Sequence, residues 1–270
     1  MVLDSSVELT HNIVKYSYGG AARLFLTGDG AISSSSAVTI GTSKTFNISG
    51  ISASGLTIAS LASNGSSQMV LGGKNLTAGG DNADTSVNGV VSGSGGSLTK
   101  QGSGTMIMAG TNTYTGATTI DAGTLQINGS LADTAVAVNS GGKLAGRTTT
   151  GTNATITGAV TVANSTTAVI QPGAFGNNTL NTGALTFNGS SARMTANSTT
   201  TTFSKIAVTG NVALGGMGIT FPAGVTTNGT YKLITSSGTM SGTLPSIISN
   251  STGKTLNLQQ TGNDLEVVVS

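Results

Sequence analysis

The stretch that most constrains this chain is residues 98–128, LTKQGSGTMIMAGTNTYTGATTIDAGTLQIN. Three short runs alternate apolar and polar residues: Thr105-Met106-Ile107-Met108, Thr118-Thr119-Ile120 and Thr124-Leu125-Gln126-Ile127. Glycine-bearing turns separate them at Gly102-Ser103-Gly104, Gly110-Thr111-Asn112, Gly116 and Gly123. Residues two apart on a strand share a face, so Met106 points with Met108 and Leu125 with Ile127. Runs this short bury only a few side chains and have no stability alone. They must stack on segments like themselves, which predicts a β-solenoid and a scaffold rather than a catalyst.

Composition supports strands. Only 7% of residues are charged, against roughly 25% in ordinary globular proteins. Helices favour Lys, Glu and Arg on their surfaces, and these are scarce. Thr and Val are abundant, and both suit strands. The low-hydrophobicity, high-charge signature of disorder is absent. The net charge of +2 comes from 11 basic and 9 acidic residues. The basic residues are scattered singly, so no nucleic-acid groove is expected. The absence of cysteine removes disulfides, thiolate metal sites and cysteine catalysis. No run approaches the ~18 apolar residues of a membrane helix, so no membrane span is expected. A Sec-type leader needs an apolar run where Asp4 and Glu8 stand.

Three segments differ in texture. Residues 1–37 hold His11, Tyr16, Tyr18 and Phe25, with Asp4, Glu8, Lys15, Arg23 and Asp29. They read as an N-terminal cap or a docking segment, because an open stack exposes its strand edges. Val7 with Leu9, and Leu24 with Leu26, alternate as strands do. Residues 38–225 run strand, turn, strand, punctuated by Gly72-Gly73, Asn88-Gly89, Asn128-Gly129, Gly141-Gly142 and Asn188-Gly189. They read as a parallel β-helix stem with turns of roughly 20–25 residues. Residues 226–270 show longer alternating runs, among them Tyr231-Lys232-Leu233-Ile234 and Leu265-Glu266-Val267-Val268-Val269. They read as a C-terminal β cap.

The wording of the central stretch resembles a known family. Leu98-Thr99-Lys100, with the Gly102-Ser103-Gly104-Thr105 that follows, the centre Asn112-Thr113-Tyr114-Thr115-Gly116 and the close Ala122-Gly123-Thr124-Leu125 resemble the autotransporter-associated β-strand repeat. Looser similarity runs over roughly residues 38–270. The resemblance implies an all-β, right-handed parallel β-helix of the kind found in bacterial passenger domains. It also implies a C-terminal module that closes the helix.

Candidate chemistry is thin. His11 is the single histidine, so a Ser-His-Asp triad would have to be built on it. Its neighbours Thr10 and Asn12 suggest a polar turn instead. Two carboxylate pairs lie close in sequence, Asp81 with Asp84 and Asp264 with Glu266. A glycosidase needs two converging carboxylates. The first pair reads as a turn without the other ligands of a calcium loop; the second reads as alternating on a solvent-facing strand side. Met106 and Met108 read as core. Asn112 is expected to hydrogen-bond its own turn backbone, and Tyr114 to serve coil architecture. No catalytic, cofactor-binding or metal residue is assigned, and no cofactor is expected.

These readings converge on a non-enzymatic surface stem or fibre. The first setting is a virion component, such as a capsid decoration, fibre or tail appendage, suggested by Met1 and the missing leader. The second is a passenger fragment of a bacterial autotransporter-like adhesin, at the cell surface or secreted. A carbohydrate-cleaving β-helix is the enzymatic competitor. Expected partners are a larger surface assembly docked through residues 1–37, weak glycan or host-receptor contacts, and in a fibre a homotrimer.

Overall fold

The computed structural model describes residues 9–10, 13–18, 21–148, 153–222, 224 and 227–270. They form strands and turns, with no helix among them. His11, Asp4, Glu8 and Val7 lie outside the described residues. The chain divides into two compact units, residues 1–125 with 129–134, and residues 126–128 with 135–270.

In the first unit three ladders stack strand on strand in parallel, each strand meeting the one three elements later. One ladder runs Gly55–Thr57, Asn75–Ala78, Ser97–Lys100, Thr118–Ile120. A second runs Ala37–Ile40, Ser60–Ser63, Thr85–Val87, Thr105–Met108. A third runs Ala21–Gly28, Thr45–Ile51, Gln68–Val70, Val90–Ser92. This is the solenoid that the alternation predicts. The period of two sends every second side chain inward, and parallel register aligns those side chains between turns. Leu56, Leu76, Leu98 and Thr118 form one buried row. Leu24, Phe46, Met69 and Val91 form another. Thr57, Thr77, Thr99 and Thr119 align on the outside of the first ladder. At the N-terminal end, within the segment read as a cap, pairing is antiparallel: Ile13–Tyr18 with Ala21–Gly28, and Leu9–Thr10 with Ala31–Ile32.

The second unit repeats the scheme. Its first ladder is Val136–Val138, Val160–Val162, Leu185–Phe187, Val212–Ala213, Met240–Ser241. Its second is Gly142–Ala145, Val169–Gln171, Arg193–Thr195, Gly218–Phe221, Ser246–Asn250. Its third is Ala154–Ile156, Thr179–Thr182, Lys205–Val208, Gly229–Ser236. Leu144, Ile170, Met194 and Ile219 make a fully buried row. Register partners on adjacent turns lie 24 residues apart here at Val136 with Val160 and 28 at Val212 with Met240, against 19 at Thr111 with Ser130 and 24 at Ser63 with Val87 in the first unit. The longer turns of the second unit thus exceed the expected length, and the surplus sits in loops between strands. The stretch read as a C-terminal cap contributes to two patterns. Met240–Ser241 and Ser246–Asn250 extend parallel ladders, whereas Asp264–Val269 pairs antiparallel with Gly229–Ser236 and with Leu256–Thr261.

Candidate functional site

The repeat-like stretch makes its structural point through buried polar groups. Leu98 and Lys100 share the inward face of Ser97–Lys100, and Lys100 is aligned with Ala78 and Ile120. Its side chain therefore enters the core and is 1% exposed. The ammonium donates to the carbonyls of Gln101 (2.6 Å), Gly102 (2.9 Å) and Ala122 (3.3 Å). A buried charge is tolerated only with such partners. Desolvation is the largest influence and pulls the Lys100 pKa below the ordinary lysine value; Asp81 and Asp84 pull it back up. Sequence reading treated Lys100 as one of many scattered cations. The signal was present, because Leu98-Thr99-Lys100 alternates and places Lys100 on the Leu98 side.

Glycines let the turns around this ammonium close up. Gly102 has φ +68°, and a Cβ there would collide with the Gly79 carbonyl oxygen of the preceding turn. Gly123 has φ +63°, and a Cβ there would collide with the carbonyl oxygens of Gly102 and Gly104. The Gly-x-Gly spelling is thus a stacking device, since only glycine accepts both this backbone and this approach.

Asn112 is fully buried and does more than hold its own turn. Its Nδ2 donates to Gly110 O (3.0 Å), as expected, and also to Ser130 O (3.1 Å) on the next turn. Its Oδ1 accepts from the Val91 N–H (2.9 Å) on the previous turn. One side chain therefore ties three successive turns. It does so where the third ladder breaks: Val90–Ser92 ends one sheet and Thr111–Asn112 begins another. The Thr113 N–H bond to Val91 O (2.9 Å) is the backbone link beside it.

Tyr114 is fully buried and heads a hydroxyl chain. Its Oη lies 2.7 Å from Thr118 Oγ1, which lies 3.0 Å from Thr134 Oγ1. Thr134 donates to Gly116 O (2.6 Å). A hydroxyl has one proton. With the Thr134 proton committed to a carbonyl, Thr118 donates to Thr134 and Tyr114 donates to Thr118. Burial pushes the phenol pKa far above its ordinary value. Met106 and Met108 are core residues, each 1% exposed.

The carboxylates are engaged with the scaffold. Asp81 accepts from its own turn at Ala83 N (3.1 Å), and Asp84 accepts from Thr105 N (2.6 Å) on the next turn. Asp264 pairs with Lys232 at 2.6 Å. Glu266 does not face solvent, in contrast to the sequence reading. It is 9% exposed and accepts from Gln259 Nε2 and Thr261 Oγ1, each at 2.8 Å. Those two hydrogen bonds hold its carboxyl below the ordinary carboxylate range. The cause of the difference is the antiparallel partner Leu256–Thr261, whose register sets Gln259 opposite Glu266 and brings the Gln259 and Thr261 side chains onto its carboxylate. Among the described residues no cluster of three His, Asp or Glu side chains is placed to hold a metal ion.

Comparison with known proteins gives one match and one blank. No curated protein matches the chain. Residues 98–127 match the model of the passenger-associated-transport-repeat family. That stretch contains Lys100, Gly102, Asn112, Tyr114 and Gly123, the residues that close and tie the turns. The repeat and the stacked parallel strands around it fit an autotransporter-associated β-strand repeat family.

Proposed function

We propose that this chain is a non-enzymatic stalk of a bacterial passenger protein, displayed at the cell surface or secreted. The observation that carries the reading is the match of residues 98–127 to a passenger-associated repeat, set within a ladder of parallel strands. It favours the bacterial passenger over the virion component, a setting to which the repeat gives no support. The physics suits an exposed spacer. Backbone ladders give rigidity, and outward Thr, Ser and Asn keep the surface hydrated at 7% charged residues. Asp81 and Asp84 cap backbone N–H groups, and Asp264 and Glu266 meet side-chain donors, rather than converging as a hydrolytic pair requires.

The test is protease shaving of intact cells of the source organism, followed by mass spectrometry. Peptides from this chain should appear in the shaved or secreted fraction before lysis. Their confinement to the lysate, with a surface control recovered, would overturn the reading.

A further inference from the structure

The second unit carries a groove that the stalk role does not use. It opens along the outer side of the third ladder, has a volume of about 360 Å³, and is lined by Asn177, Thr179, Thr202, Lys205, Tyr231 and Lys232, among others. Thr179 and Lys205 are register partners on adjacent strands. Parallel stacking thus lines up residues 26 apart in sequence along one wall. The groove is at the small end of ligand pockets, which span roughly 300–1,000 Å³, so it suits one or two sugar rings rather than a long polymer.

Its chemistry is mixed in a specific way. Tyr231 is half-buried, with its ring set edge-to-face against Phe203 (centroids 5.4 Å apart, 72°) and its hydroxyl donating to Thr227 O at 3.0 Å. Phe203 is in turn edge-to-face with Phe221 at 5.5 Å. The exposed part of the tyrosine is therefore held rigid from behind. Phe175 lies next to the lining residue Gly176 and is 42% exposed. Threonine hydroxyls and the exposed Asn177 amide offer donors and acceptors. Both charged lining residues are lysines. Lys232 is already matched by Asp264 at 2.6 Å. Lys205 is exposed and has no hydrogen-bond or ion-pair partner for its ammonium among the described residues.

We propose that this groove is a saccharide-binding site selective for a carboxylated sugar. Tyr231 offers an apolar rim for the C–H face of a pyranose, Thr179, Thr202 and Asn177 meet its hydroxyls, and Lys205 pairs with its carboxylate. An aromatic platform with hydroxyl and amide groups suits sugars in general; the unmatched Lys205 supplies the selectivity. A sugar carboxylate of this kind can come from a sialic acid at a glycan terminus or from a uronic acid within a polysaccharide. The site deepens the surface-stalk reading, which supplies its setting but none of its geometry.

The test uses the full chain, titrated by NMR or calorimetry at low ionic strength with sialyllactose, digalacturonate and neutral lactose. At least one acidic sugar should bind about tenfold or more tightly than lactose, and added salt should erode that margin. The two acids distinguish the sources. Lys205→Gln, at an exposed position, should keep the fold and bring the acidic sugar to within about twofold of lactose; Lys205→Arg should restore selectivity. Three outcomes would overturn the proposal: equal affinity for acidic and neutral sugars, no effect of Lys205→Gln, or no binding of either acid up to about 10 mM, a bound weaker than ordinary weak complexes. Failure of the shaving experiment would remove the surface setting and leave these titrations standing; failure here would leave the stalk reading intact.

Discussion

Asn112 shows how one side chain can stand in for a stretch of sheet. It joins Val91, Gly110 and Ser130 at a break in the third ladder of the first unit. Asn112→Ala should leave the buried Val91 N–H without its acceptor, while Gly110 O keeps its bond from the Ser130 N–H, and cost about 1–3 kcal/mol, read as a fall in urea midpoint. Asn112→Asp should not rescue it, because a carboxylate accepts from Val91 but donates to neither carbonyl. Lys100 and Tyr114, buried in the repeat-like stretch, predict an alkaline profile with opposed slopes. The folded pKa of Lys100 is lowered. Between that value and about 10.4 the unfolded chain holds more protons, so stability rises with pH. The folded pKa of Tyr114 is raised. Its contribution is fully present below about 10 and is lost as pH climbs above it. Lys100→Met should lessen the rise, to which Lys143, also lowered by burial, contributes, and Tyr114→Phe should lessen the fall, both measurable as denaturation midpoints from pH 8 to 12. A fall unchanged in Tyr114→Phe would refute the assignment.

At the scale of elements, local pattern and partner strand divide the work. The alternation in 105–108, 118–120 and 124–127 was enough to place Met106, Met108, Ile120, Leu125 and Ile127 in the core, where all are buried. The side of Glu266 was not legible, because a strand's alternation names two faces without saying which is covered. The antiparallel hairpin made by Leu256–Thr261 and Asp264–Val269 decides it. Because the folded pKa of Glu266 is lowered, its stabilisation is present above the ordinary glutamate value of about 4.3 and is lost as pH falls through the folded value. Amide protection factors in the hairpin, measured against the intrinsic exchange rate, should therefore fall below about pH 4, ahead of the parallel ladders. Glu266→Gln should show the lower protection already at pH 7 and remove the acid dependence.

For the molecule as a whole, stability is a sum over turns and their neighbours. Ser97 is the register partner of Asn75, 22 residues away. Deleting residues 75–96 would set Ser97 where Asn75 stood and Met69 in the place of Val91, its own partner. This one-turn deletion should keep strand-type circular dichroism and a cooperative melt. Deleting half as many residues should abolish both, because inward and outward rows would no longer meet their partners.

By itself the sequence determined that the chain makes short strands, where they turn, and which side chains in the repeat are apolar and inward. These follow from a period of two and from glycine at bends, both of which act within a few residues. Only the tertiary structure decided that Lys100 is sealed by carbonyls from two turns, that Asn112 spans three, and that Thr179, Lys205 and Tyr231 line one groove. Those arrangements join residues about twenty or more positions apart. Their register is selected by all the stacked rows packing together, and no local stretch of chain encodes that choice.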